Sequence, residues 1–313
     1  MQPKRRFHLL GLVVALSLHH VLPTCAYFVG NKVCLECHKS EYEVWDKTKH
    51  AASFRDLHKN PKVAEILTAV GGEKNLRKNA LCTQCHYTLE QADESSPATA
   101  RTSISCESCH GAASGWVKVH NDYGGPDVKR ETEPAAHRDE RIKNSIAAGM
   151  RRPESPYDLA ANCLDCHSLA RATVDGATIT KMLAAGHPIN AEYELVKYSQ
   201  GTVRHRFYPP DITVNAEMKP AELARFFIAG RAAMLVTATQ TLGKSDSPAY
   251  KEAMQKQIAS ATAALSALKN IPEAAALVAA PNDANARKLV AALAGKDVSA
   301  EVKSFLPKAE EYK

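Results

Sequence analysis

The chain has 313 residues, of which 45% are hydrophobic, and its formal net charge is +6. Residues 4–6 are all basic, and without them 37 basic residues stand against 34 acidic ones, a balance of only +3. A nearly neutral chain of this kind gives no reason to expect a nucleic-acid partner.

The first 26 residues have the pattern of an export signal. A basic run at residues 4–6 is followed by a stretch at 9–22 that is apolar apart from one serine and a histidine pair, and Ala26 offers a small residue for cleavage. We expect cleavage after Ala26 and a periplasmic location. The alternative is a lipoprotein signal, in which Cys25 becomes an acylated N-terminus and holds the protein peripherally on a membrane.

Eight of the nine cysteines belong to four copies of one pentapeptide, Cys-x-x-Cys-His. The copies are Cys34, Cys37 and His38; Cys82, Cys85 and His86; Cys106, Cys109 and His110; and Cys163, Cys166 and His167. This pattern attaches haem c, because two thiols on one helical turn can add to the two vinyl groups of one porphyrin while the histidine binds its iron. The sequence therefore predicts four covalently attached haem c groups.

Two other uses of paired cysteines compete with haem. The pairs Cys82–Cys85 and Cys106–Cys109 are separated by 20 residues, a spacing found in zinc ribbons. A zinc ribbon does not need a histidine after the second cysteine, yet all four pairs have one, although the chain holds only 13 histidines. Disulfide frameworks belong mostly to short secreted chains. The histidines therefore favour haem.

We predict a mainly α fold, a multihaem cytochrome c with short helices and long loops around four haems. The haem domain is expected at residues 27–215, where turn residues are frequent and long strands are absent. Within it, helices are expected at Ser40–Leu57 and Lys62–Val70.

Residues 216–313 have a different character and contain no haem motif. They are rich in alanine and carry apolar residues at helical spacing, which predicts helices at Pro220–Leu242, Pro248–Lys269 and Ala284–Ala294. We expect a haem-free helical domain that packs on the haem domain or on a partner. The alternative is a plain stabilising appendage.

Each iron has room for a second axial ligand besides the histidine of its motif. Methionines are few and lie mostly in helical patterns, so histidine is favoured for this second position. Six histidines outside the signal and the motifs are candidates: His50, His58, His120, His137, His187 and His205.

The haem portion resembles the tetrahaem cytochrome c-554 family, whose members accept electrons from hydroxylamine oxidation. The resemblance covers residues 31–210 and depends on four elements. These are Cys34–His38 followed by Trp45 and Thr48-Lys-His50-Ala, then Ser105–Gly111, then His120 ten residues after His110, and finally Cys163–His167. Gly186-His187-Pro188 is similar to an element of broader multihaem relatives.

The resemblance implies a set of distal ligands. It pairs His120 with the iron of His38, His187 with that of His110, and His50 with that of His167. It also implies that the second haem has an open distal face, with His86 as its sole protein ligand, and His58, His137 and His205 remain as residues that could close it. The helices after Lys219 have no counterpart in the family.

The leading functional hypothesis is an electron carrier without catalytic residues, which docks transiently with a redox donor and a redox acceptor. A second hypothesis is an enzyme that binds nitric oxide or hydroxylamine at a five-coordinate His86 haem. A third is a subunit that oligomerises into an extracellular filament, in which a surplus histidine ligates a haem of the next copy.

Overall fold

The computed structural model describes residues 26–313. The export signal predicted for the preceding residues, and Cys25 with it, lie outside the described residues. Among residues 26–313, no helix is both long enough and apolar enough to span a bilayer.

The described chain is mainly helical, which confirms the predicted fold class. The haem-motif half contains α1 Asn31–Leu35, α2 Lys39–Asp46, α3 Lys49–Asp56, α4 Lys62–Val70, α5 Ala80–His86, α6 Cys106–His110, α7 Val117–His120, α8 Ala135–Ala147, α9 Pro156–His167, α10 Gly176–Ala184 and α11 Leu195–Ser199. The remaining helices are α12 Pro220–Thr241, α13 Pro248–Ser266, α14 Pro272–Ala279, α15 Asp283–Ala292 and α16 Ser299–Val302. Two short strands, β1 Thr88–Glu90 and β2 Thr99–Thr102, form an antiparallel hairpin in which Thr88 faces Thr102.

The helix expected at Ser40–Leu57 is two helices in the structure, α2 and α3. They are separated at Thr48, whose backbone is extended and whose Oγ1 accepts a hydrogen bond from the backbone N–H of Ala51 at 3.1 Å. Threonine is favoured in this N-cap position because its hydroxyl satisfies an N–H that lacks a partner within the helix. The break makes α3, which carries His50, a separate helix. Helix α4 has the predicted bounds.

Four helices of the haem-motif half were not predicted from the sequence, and the two longest of them are α8 and α10. Both follow segments rich in turn residues, which hid their periodicity. Helix α10 begins at Asp175, whose carboxylate accepts a hydrogen bond from the backbone N–H of Thr178 at 2.8 Å. It then packs against α4 and so brings the residues that follow it close to the second motif.

The helices α12–α16 pack on the haem-motif half rather than standing apart. Helix α12 lies against α13 on one side and against α9, the helix of the fourth motif, on another. Leu164 of α9 and Phe227 and Leu235 of α12 are almost completely buried in the core that the two helices share. Proline begins α12, α13 and α14, where its missing N–H costs nothing and its fixed φ suits the helix.

Polar contacts also join these helices to the segment after the fourth motif. The buried amide of Gln257 accepts from Ser168 Oγ at 3.1 Å and donates to the carbonyl of Asn190 at 3.1 Å. Lys244 Nζ donates to three successive carbonyls, those of residues 169–171, at 2.7–3.3 Å. Residues 220–313, the helical part of the chain, therefore fix the course of the segment beside His167.

Candidate functional site

Each Cys-x-x-Cys-His motif lies on about one helical turn. The first motif begins in α1 and ends just after it, the second ends α5, the third forms all of α6, and the fourth ends α9. Residues three apart share a face of a helix, so the two thiols of each motif lie on the same side and the histidine follows at the end of the turn.

The third motif is anchored by a buried carboxylate. Glu107 is 0% exposed, and its two oxygens accept hydrogen bonds from the backbone N–H groups of Val29 at 3.0 Å, Gly30 at 2.7 Å and Ala113 at 2.7 Å. Burial raises the pKa of Glu107, while the three N–H groups act in the opposite direction. Because residues 29–30 lead directly into α1, this carboxylate holds the first and third motifs together.

The histidine of every motif faces the ring of a second histidine from elsewhere in the chain. With metal–nitrogen bonds of about 2.0 Å and about 1.1 Å from each nitrogen to its ring centre, two imidazoles on opposite sides of one metal have ring centres about 6 Å apart. The four observed pairs are His38–His120 at 6.4 Å, His50–His167 at 6.1 Å, His86–His187 at 6.1 Å and His110–His205 at 6.1 Å.

Two of these pairs correct the arrangement that the resemblance implied. It assigned His187 to the iron of His110, but His187 faces His86. The ring that faces His110 belongs to His205, which was predicted only as a candidate for the second haem. The physical reason is the packing of α10 on α4, where Gly186 lies against the side chain of Lys62 and carries His187 to the second motif.

The other two pairs have the partners that the resemblance implied: His120 faces His38, and His50 faces His167. The remaining candidates lie elsewhere. His58 is exposed and outside the cavity that holds the four pairs, and the Nδ1 atom of His137 bonds to Glu133 Oε1 at 2.8 Å.

Most of the paired histidines are oriented by a contact at Nδ1. A backbone carbonyl lies within hydrogen-bond distance of Nδ1 in His110, His120, His187 and His205, at 2.6–2.9 Å. In His38 the partner is the carboxylate of Glu41 at 3.4 Å. Such contacts place the proton on Nδ1 and leave Nε2 as the nitrogen that binds metal.

The buried motif histidines have the protonation state that a metal ligand needs. Burial lowers the pKa of His86, His110 and His167 to about 4. His38 differs, because the hydrogen bond with Glu41 raises its pKa and its ring is 51% exposed. Three of the motif histidines are therefore neutral at pH 7, and a neutral imidazole has a free lone pair for metal.

One continuous cavity connects the four pairs. Its volume is ≈ 2510 Å³, and all eight motif cysteines and all eight paired histidines line it. Pockets for single small molecules usually measure about 300–1,000 Å³. The cavity is thus large enough for several flat cofactors, each between two imidazoles and beside two thiols.

Contacts between the motifs fix their order in space. Helix α1 of the first motif packs against α6 of the third, and α6 packs against α9 of the fourth. The thiol of Cys85 in the second motif lies close to that of Cys166 in the fourth. The third and fourth motifs meet where Asn162 Nδ2 donates to the carbonyl of Ser108 at 2.9 Å. The motifs therefore follow each other as first, third, fourth and second, with the third and fourth inside.

Basic side chains lie on the cavity wall, among them Arg130, Arg152 and Arg171. Haem propionates carry the opposite charge, so the wall as well as the pairs fits haem.

The competing uses of the cysteines do not match this geometry. Within residues 26–313, no group of three or more histidine, cysteine or acidic side chains is arranged to hold a metal ion, as a zinc ribbon requires. The eight motif cysteines are all free thiols in the structure rather than disulfides.

Comparison with known proteins agrees with the haem motifs. Residues 33–111 match the family model described as cytochrome c554 and c-prime. The chain is 31% identical over 128 residues to cytochrome c-554 of Nitrosomonas europaea, an alignment that covers 36% of this chain and 52% of the relative. The chain thus matches only about half the length of this curated relative. No solved structure matches the chain.

Proposed function

We propose, from the premise that residues 33–111 make this chain a cytochrome of the c-554 family, that it carries electrons between two redox proteins through four covalently attached haem groups. The match to this family supports a c-type cytochrome in electron transfer. The number of haems, the axial ligands and the identity of the partners belong to our proposal.

The observation that carries the proposal is the set of four facing histidine pairs. Every motif histidine has a second ring at 6.1–6.4 Å, close to the spacing that one shared metal requires. In this proposal the two cysteines of each motif form the thioether bonds, and the two histidines of each pair occupy both axial positions of one iron.

Haem bound in this way supplies a one-electron carrier at each site, and two histidine ligands hold its potential low compared with a histidine–methionine pair. The chain contributes fixed ligands, neutral imidazoles and a largely apolar wall. Because both axial positions are filled by protein, small molecules have no place to bind at the metal. This favours a carrier over an enzyme, including at the second motif, where an enzyme would need an open face.

The order of the motifs gives the molecule two terminal sites and two internal ones. The first motif is terminal, and both Cys37 and the ring of His38 are partly open to solvent. The second motif is the other terminus. Redox partners that exchange electrons through small, transient interfaces need such an exposed site, so we propose that donor and acceptor dock at these two ends.

We further propose that the protein acts in the periplasm. The support is the sequence pattern of residues 1–26 together with the haem motifs, because haem is attached to c-type cytochromes outside the cytoplasmic membrane. The predicted cleavage after Ala26 would remove Cys25 and leave eight cysteines, all of them in motifs.

The decisive experiment is expression in a host with periplasmic haem maturation. The mass of the purified protein counts the attached haems, the alkaline pyridine spectrum identifies their type, and the N-terminal residue locates the cleavage. EPR of the oxidised protein then reports the spin state of each iron. Four haems that are all low-spin and do not bind nitric oxide agree with the proposal, whereas a high-spin iron that binds nitric oxide would support the enzymatic hypothesis instead.

A further inference from the structure

The segment 309–313, at the far end of the helical part, lies on the loop that leads to His205. The backbone N–H of Lys313 donates to the carbonyl of Lys197 at 2.9 Å, and the carbonyl of Lys313 accepts from the N–H of Thr202 at 2.8 Å. Thr202 Oγ1 donates to the same carbonyl at 3.3 Å, and Lys197 Nζ forms an ion pair with Glu311 at 3.3 Å. Main-chain bonds on both sides of Lys313 therefore join this segment to residues 197–202.

The close approach of the two main chains requires a glycine at position 201. A Cβ atom at Gly201 would lie 1.9 Å from the carbonyl oxygen of Lys313 and 2.5 Å from its backbone nitrogen. Real Cβ atoms do not approach backbone atoms so closely, and neither neighbour is the mobile end of a side chain. The two main chains therefore pack directly on one another at this position.

The loop held in this way positions the ring that faces the third motif. His205 follows Thr202 by three residues, and its Nδ1 lies 2.6 Å from the carbonyl of Val203. Asn215 bonds to the residues on either side of His205. The loop is thus fixed from two directions, by Asn215 within the haem-motif half and by Lys313 from the helical part.

The segment is itself fixed to the core of the helical part. Helix α16 packs on α12, and Val302 is completely buried there. Tyr312 packs against the same core and, with Lys313, lines the cavity that holds the histidine pairs. A path of ordinary packing contacts therefore connects α12 to the position of His205.

We propose that Gly201 and the main chain of Lys313 are positioning elements that hold His205 as the axial ligand opposite His110. This inference rests on the proposed function, in which that pair shares one iron. It gives the helical part a role at the haem site beyond general stabilisation, because residues 309–313 supply the support for one particular ligand.

The first test is Gly201→Ala in the haem-loaded protein, with EPR and a potentiometric titration as readouts. The added methyl group pushes residues 312–313 off the loop. We expect one of the four low-spin signals, that of the His110–His205 pair, to shift or to be replaced by a high-spin signal, and the potential of that one haem to change. Gly243→Ala is the matched control, since nothing lies within 4 Å of the added methyl group.

A second variant removes the support without adding bulk. Deletion of Tyr312 and Lys313 takes away the carbonyl that accepts from Thr202 and leaves every histidine in place. The same single haem is expected to respond. If both variants keep four haems and their spectra and potentials superimpose on those of the unaltered protein, this inference is wrong while the proposed function stands. If the unaltered protein lacks four low-spin haems, the proposed function fails first.

Discussion

His86 and His187 face each other with ring centroids 6.1 Å apart, although one ends the helix of the second motif and the other follows α10. Nδ1 of His187 is directed at the carbonyl of Pro188 at 2.9 Å, which leaves its Nε2 for a metal. In the arrangement implied by the family resemblance, the second motif has an open distal face. In the proposed function this pair closes that face, which favours a carrier over an enzyme.

Replacement of His187 by alanine should open one iron. We expect the variant to retain four haems, because the thioether bonds do not involve His187, but to show one high-spin iron that binds carbon monoxide when reduced. The unaltered protein should bind none. Optical titration with carbon monoxide and EPR measure the two effects on the same sample.

His58→Ala is the control for this change. His58 is exposed and lies outside the cavity that holds the histidine pairs, so its removal should leave the spin state of all four irons unchanged. If His58→Ala produced the high-spin iron and His187→Ala did not, the pairing at the second motif would be wrong.

The pair His110–His205 should have a distinctive spectrum. Its ring planes are 84° apart, whereas those of His38 and His120 are 24° apart. Low-spin haems with nearly perpendicular axial imidazoles give highly anisotropic EPR signals, and those with nearly parallel ones give rhombic signals. The protein should therefore show both types, and His205→Ala should remove the highly anisotropic one.

His205→Met tests the same ligand without leaving the position empty. Methionine keeps the iron six-coordinate and raises its potential relative to histidine. We expect one of the four potentials to rise while all four irons stay low-spin. A variant in which the rhombic signal disappeared instead would assign His205 to a different haem.

Local sequence patterns were enough for the parts of the site that lie within one helical turn. The four motifs, the helix at Lys62–Val70 and the proline-led helices α12 and α13 all follow from residues that are close in sequence. The break between α2 and α3 was also encoded locally, since Thr48 is a good N-cap residue, but the apolar pattern ran across it and hid the signal.

The partners of the histidines could not be read in this way. Whether His187 reaches the second or the third motif depends on how α10 packs against α4, a contact between segments more than a hundred residues apart. His205 stands between two arginines, a pattern that suits propionate binding, yet Arg204 and Arg206 form ion pairs with Glu217 and Glu222. These two ion pairs join residues that are distant in the sequence, so they could be seen only in the folded chain.

Glu107→Gln should destabilise the contact between the first and third motifs. The carboxylate accepts three backbone hydrogen bonds in a fully buried position, whereas the amide offers one oxygen and brings an NH₂ group towards N–H donors. Leaving buried partners unsatisfied costs roughly 1–3 kcal/mol. Guanidinium denaturation followed by haem absorbance should give a lower midpoint, and Glu36→Gln, at an exposed site, should stay within about 0.5 kcal/mol of the unaltered protein.

Gly176→Ala should weaken the attachment of α10 to the helical part. A Cβ atom at Gly176 would lie 1.7 Å from the carbonyl oxygen of Lys244 and 2.8 Å from its carbonyl carbon, so the main chain must move. Lys244 also donates to the carbonyls that follow the fourth motif, and a shift there loosens both contacts. Overpacking of a well-packed core by an added methylene typically costs about 1–3 kcal/mol. Thermal unfolding should show a lower midpoint for Gly176→Ala than for Gly243→Ala, where the methyl group meets nothing within 4 Å; equal midpoints for the two variants would mean that α10 does not depend on this contact.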